Sequence, residues 1–309
     1  MRKTLHDVSL MLLLLGIVTV GTTVTTSAQT SDSANARRDT TIVTIGSDTS
    51  KTAAWLLDLF SETGVSTSQP YVMLWGGQSM ISRTGLEADV EPVISAGVSF
   101  GTETAKSIPG GVRRCSRDGL YLWTGLTPDS SATQKATLGV WRFGFEEIVA
   151  WGYASEESAS GVYFIHGTNN GWSILDVTRA PAQPEEQYLT DFGSAMRYGE
   201  TMRAGIDVRF GAVSINAAYT WDQIYTRHLF WKQAGSSLLE GVADVLVVAF
   251  VKAVGKSSPK AVPIMHFLMR NGLAYGFKSL RAKNMTWPFG ADTSPLNIQT
   301  YSVGLTVSF

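Results

Sequence analysis

Three stretches of this chain alternate apolar and polar residues with a period of two. In Met202–Phe210, MRAGIDVRF, the even positions are Met202, Ala204, Ile206, Val208 and Phe210, and the odd ones are Arg203, Gly205, Asp207 and Arg209. Ala212–Asp222, AVSINAAYTWD, carries its apolar residues at odd positions, from Val213 to Trp221, against Ser214, Asn216, Thr220 and Asp222. In the last stretch, YSVGLTVSF, Tyr301, Val303, Leu305, Val307 and Phe309 share one face, and Ser302, Gly304, Thr306 and Ser308 the other. A side-chain period of two is that of a β-strand with one apolar and one polar face. Weaker segments of the same kind cover 72–80, 93–101, 120–126, 138–145 and 149–153. Gly161–Val177 reads as a hairpin turned at Asn169-Asn170-Gly171. The pattern predicts eight to ten strands within residues 71–309. No fixed-length repeat is present, which removes propellers and solenoids.

One region breaks the alternation. Residues 226–295 have helical texture, with candidate helices over Leu238–Val254 and Ile264–Lys283 separated by Pro259 and Pro263. Neither is uniformly apolar over the ~20 residues that a membrane-spanning helix needs. At the other end of the chain, Arg2 and Lys3 precede the uncharged run Leu10–Val20, and small residues lead to Ala28. Residues 1–28 are therefore expected to be a cleaved export signal. Residues 29–70 are expected to form a mobile leader, with room for a short helix at Ala53–Phe60.

Composition narrows the class. Charged residues make up 17% of the 309, and the net charge of −1 provides no field for nucleic acid. Cys115 is the single cysteine, so no internal disulfide exists; its charged surroundings, VRRCSRDG, suggest a loop. Two architectures use period-two strands: a soluble sandwich that buries the apolar face, and a transmembrane barrel that turns it to lipid. The barrel is favoured by uninterrupted apolar outward faces and by aromatics near strand ends. These are Trp123, Trp151, Tyr153, Tyr219, Trp221, Tyr225 and Tyr301. A final strand that pairs with the first would leave no edge in lipid.

The terminal strand Tyr301, Val303, Leu305, Val307, Phe309 resembles the C-terminal signature of bacterial outer-membrane β-barrels. The resemblance implies an all-β, transmembrane antiparallel barrel in a Gram-negative outer membrane. It also implies outer-membrane lipids and the barrel assembly machinery as partners. Its topology would put both termini and short turns such as 209–213 on the periplasmic side. The helical insertion 226–295 would then leave from the external rim, to sit on the external side or in the lumen. Between Val245 and Ala291 it has no Asp or Glu, and the seven basic residues there, from Lys252 to Lys283, would meet anionic headgroups or serve as solvated faces.

The expected lumen-lining residues are Arg142, Arg203, Asp207, Arg209 and Asp222, which would pair and seal a small barrel or set ion preference in a wider one. The role expected is structural, binding or porin-like small-solute passage, more readily non-enzymatic than catalytic. Two alternatives stand beside it. His166-Gly167-Thr168-Asn169 loosely resembles the His-x-Ser-Asn motif of outer-membrane lipid A deacylases, which would make His166 a base and Thr168 a nucleophile; Thr168 stands where that motif has Ser. A soluble periplasmic β-sandwich that binds a ligand is the other. Gly97-Val98-Ser99-Phe100-Gly101 matches G-x-S-x-G, but Ser99 lies within a strand pattern rather than at a strand-turn-helix junction. No histidine or acidic spacing suits a metal, and no cofactor is expected.

Overall fold

A computed structural model describes residues 67–309 apart from 87–89, 109, 128–135, 155–159, 180–188, 194, 228 and 291–292. The expected export signal, leader and short helix lie outside the described residues. Eight antiparallel strands follow one another around a closed barrel. They are β1 (Thr67–Ser82), β2 (Val93–Ile108), β3 (Val112–Leu126), β4 (Thr137–Ala154), β5 (Gly161–Arg179), β6 (Arg197–Phe210), β7 (Val213–Ile224) and β8 (Leu296–Ser308). The closing ladder pairs β1 with β8, from Tyr71–Ser308 to Ser82–Asn297. This single closed sheet replaces the two-layer sandwich alternative.

Tracing paired residues once around the wall, from Ile224 through Gly199, Gly171, Gly144, Tyr121, Ser99, Met73 and Thr306, ends at Ser214, ten residues earlier on β7. With standard strand spacing and rise, that offset tilts the strands by about 40°. An eight-stranded barrel of this kind has an interior that side chains can fill.

The two ends differ. At the turn end, Gly110 and Gly111 (φ 89° and 73°) close β2–β3, and Gly211 (φ 61°) closes β6–β7. These positive-φ conformations fall to glycine because any L side chain strains its own backbone there, although the space around each turn is open. The loop end carries the longer connections 83–92, 127–136, 180–196 and 225–295.

Several strands are longer than the alternation suggests. Segments 138–145 and 149–153 are one strand, β4. Gly161–Val177 is likewise one strand rather than a hairpin. Asn169-Asn170-Gly171 stays extended because β4 and β6 pair with it on both sides. Gly171 meets a steric need of another kind: a Cβ there would stand 2.2 Å from the Tyr121 hydroxyl. Cys115 is not in a loop but buried in β3, facing the lumen.

The insertion before β8 is a helical hairpin: α1 (Phe230–Ser257), a 3-10 turn (Pro259–Ala261) and α2 (Val262–Lys283). It neither enters the lumen nor stays at one end of the barrel. It lies along the outer wall. At the turn end, the Tyr153 hydroxyl donates to the Lys260 carbonyl (2.6 Å), and Gly110 lies beside Pro259. At the loop end, the Thr84 hydroxyl donates to the Ala282 carbonyl (3.1 Å). In between, α2 crosses β4, β5, β6 and β7. The reason is chemical: the wall beneath it carries polar side chains among its aromatic ones, as described next.

Candidate functional site: a charged lumen and a polar seam on the wall

Because side chains alternate, one set from each strand fills the lumen. Four arginines and four carboxylates are buried there among the described residues: Arg117, Arg142, Arg203 and Arg209, with Glu103, Glu146, Asp207 and Asp222. They form two centres. Nearer the loop end, Arg142 faces Asp222 at 3.2 Å and donates to the hydroxyls of Tyr121 (3.0 Å), Ser173 (2.7 Å) and Thr201 (3.1 Å). Thr201 in turn donates to Asp222. Nearer the turn end, Arg117 donates to Glu103 (2.7 Å) and Asp207 (2.8 Å), and Arg209 clasps both oxygens of Glu103. Between them, Arg203 donates to Asn216 (3.0 Å), and the Tyr71 hydroxyl donates to Glu146 (3.0 Å).

The lumen is also closed by packing. Inward residues of the loop end, including Leu138, Val140, Leu175, Ile224, Leu296 and Ile298, form one apolar cluster with Leu189 and Phe192 from the β5–β6 connection. At the other end Tyr71, Met73, Ile148, Tyr163 and Ile165 form a second cluster. Between them a cavity of about 20 Å³ remains, lined by Trp75, Glu146, Arg203 and Asp222 among others. That is room for about one water molecule.

The five residues read as lumen-lining, Arg142, Arg203, Asp207, Arg209 and Asp222, all face this interior. Sequence reasoning missed Glu103, Arg117 and Glu146. The signal was present: Ser95, Gly97, Ser99, Gly101 and Glu103 continue one polar face, as do Arg142, Gly144 and Glu146.

The outer wall is apolar but not uninterrupted. Phe100, Leu120 and Phe145 pair in one row of exposed apolar residues, and the next row toward the turn end is Thr102, Asp118 and Glu147. Over β6–β1 the apolar band reaches the strand ends, at Phe210, Val213 and Phe309. Aromatics flank it toward the loop end. Tyr219 and Tyr301 are in ring contact (5.3 Å), as are Trp172 and Tyr198 (6.2 Å) and Tyr198 and Tyr225 (6.2 Å). Trp123 is an exception: it points inward against Trp75.

His166, Glu200 and Gln223 also point outward, and α2 covers them. His166 Nδ1 lies 2.9 Å from Asn271 Oδ1, while Asn271 Nδ2 donates to the Ile165 carbonyl (3.1 Å). The amide oxygen accepts, so the imidazole carries its proton on Nδ1. His266 lies between Trp151 and His166, tilted against the first ring (5.7 Å) and edge-on to the second (6.2 Å). Gln223 donates to the Lys278 carbonyl (2.8 Å). Arg281 bridges Glu200 (3.2 Å) and Glu240 of α1 (2.5 Å). Arg270 makes a bidentate pair with Asp244 of α1 (2.7 and 2.6 Å). Ala274 packs between these groups on Met202 and Trp221. Helix α2 thus turns its polar residues to the barrel and to α1. His166 and Thr168 share the outer face of β5, but the recorded bond of His166 goes to Asn271, and the ring is buried under α2 while Thr168 is exposed. Ser99 is buried in mid-strand, far from any helix start.

No family model matches the chain, and no curated protein matches it. Among solved structures, the crystal structure of Neisserial surface protein A is similar at 10% identity and a TM-score of 0.38, over 80% of this chain and 100% of that one.

Proposed function

We propose that this protein is an outer-membrane β-barrel with a sealed lumen, acting as a structural or binding element of the membrane rather than as a channel. The observation that carries this reading is the combination of an exposed apolar wall with an interior filled by paired charges between two apolar clusters. An apolar band with aromatic flanks suits hydrocarbon and its interfaces. A closed ladder suits a solvent that cannot satisfy free backbone groups. In this reading the turn end faces the periplasm and the loop end the exterior. The N-terminal segment directs export, and the barrel assembly machinery reads β8 through Tyr301, Val303, Leu305, Val307 and Phe309. Passage of solutes finds no support in a lumen packed with charged side chains and two apolar clusters, where the cavity between the clusters has room for about one water. Hydrolysis at His166 finds none either, since α2 covers the imidazole.

The test is conductance. Purified, folded protein reconstituted into planar lipid bilayers is expected to give no stepwise currents at any voltage the bilayer withstands. Reproducible unit conductances would contradict the sealed lumen and restore the passage role.

A further inference from the structure

The helical hairpin is the least conventional part of the molecule. No helix among the described residues is long and apolar enough to cross a membrane by itself. Yet α2 reaches from the β2–β3 turn to the loop after β1, the full height of the barrel. Its 22 residues extend about 33 Å, against a hydrocarbon core of about 30 Å. Resting on the reading of the barrel as a membrane protein, we infer that α1 and α2 lie inside the bilayer beside the strands, with their outer faces against lipid acyl chains.

Three observations argue for acyl chains as the occupant. First, the polarity of the hairpin is inverted relative to a helix on a soluble protein. Its buried side chains include His266, Asn271, Lys278 and Arg281, whereas Leu246 (63% exposed) and Leu268 (59%) point away. A helix covered by water would turn these faces the other way. Second, α1 carries an exposed apolar stripe, Leu238, Val242, Leu246 and Phe250, and the barrel wall is likewise apolar and exposed at Phe100, Leu120 and Phe145. Third, the ionised groups at mid-length are matched: Asp244 to Arg270, and Glu240 to Arg281. Charges at that depth are tolerated when paired and turned inward. Of the exposed lysines, Lys232, Lys256, Lys260 and Lys283 sit at the two ends of the hairpin, and Lys252 lies five residues from the end of α1, where a long side chain can reach the interface.

The arrangement gives the hairpin a purpose on this wall. His166, Glu200 and Gln223 would be costly in hydrocarbon, and α2 supplies each with a partner. The hairpin is thus an intramembrane cover for a polar strip of the barrel.

Nitroxide labels test this in the full chain, folded into phosphatidylcholine vesicles, in a Cys115→Ala background. Single cysteines go at Leu246, Leu268, Lys256 and, on the barrel wall, Val303. Collision with oxygen is expected to exceed collision with a water-soluble nickel chelate several-fold at Leu246, Leu268 and Val303, and the ratio is expected to invert at Lys256. If Val303 reports lipid while Leu246 and Leu268 report water, the hairpin inference is overturned and the barrel reading stands. Labels at Leu246 and Leu268 shielded from both reagents would mean that protein, such as a second copy, covers this face, which also overturns it. Aqueous access at Val303 as well would remove the barrel reading and this inference together.

Discussion

Arg117 holds two carboxylates at once, Glu103 and Asp207, and none of the three is exposed to solvent. Burying such a group costs several kcal/mol, which the partners offset only as a complete set. Arg117→Ala is expected to destabilise the barrel by about 3–5 kcal/mol, read as a lower urea midpoint for the heat-modifiable gel band. An unchanged midpoint would mean that water reaches this centre. Arg142 and Asp222 allow a sharper form of the test. Removing either alone leaves the other unpaired, so the double variant Arg142→Leu with Asp222→Leu is expected to cost less than the sum of the single ones. Strict additivity would show that the pair does not act as a unit. These residues were only half legible in the sequence. Arg203, Asp207 and Arg209 sit in a stretch of perfect alternation, and parity alone turns them inward. Glu103 and Arg117 sit where the outward face also turns polar, at Thr102 and Asp118, so parity loses its contrast there.

At the level of elements, β7 and β8 could be read directly because one face is apolar from Val213 to Trp221 and from Tyr301 to Phe309. Strand β5 could not. The dipeptide Asn169-Asn170 before Gly171 is a turn signal in isolation, but ladders on both sides hold it extended, and Gly171 instead makes room for Tyr121. The hairpin was legible as helix and illegible as to place. Its polar spacing, with His266, Arg270, Lys278 and Arg281 on one side of the helix, looks like an ordinary wetted face. Only the outward His166, Glu200 and Gln223 show that this face has partners on the wall. Asn271 is the centre of that seam, since it satisfies both His166 and the Ile165 carbonyl. Asn271→Leu is expected to cost about 1–3 kcal/mol locally and to raise hydrogen exchange in α2 while leaving β7 and β8 protected. Uniform loosening of the whole barrel would contradict a seam that is separable from the strands.

For the molecule as a whole, the outer wall and the lumen have opposite chemistry, and the boundary between them is the sheet itself. Val303, Leu305 and Val307 lie outside while Ser302, Thr306 and Ser308 lie inside, one residue apart. A sheet packed in water or against a second layer would not require this particular assignment of faces. The most direct measurement follows β8 residue by residue. Single cysteines from Ser302 to Val307 in the Cys115→Ala background, labelled with a small fluorophore before folding into vesicles, are exposed to brominated acyl chains. The account predicts quenching that alternates, strong at Val303, Leu305 and Val307 and weak at Ser302, Gly304 and Thr306. Quenching without alternation, or strong only at the even positions, would contradict a closed barrel whose apolar face meets the bilayer.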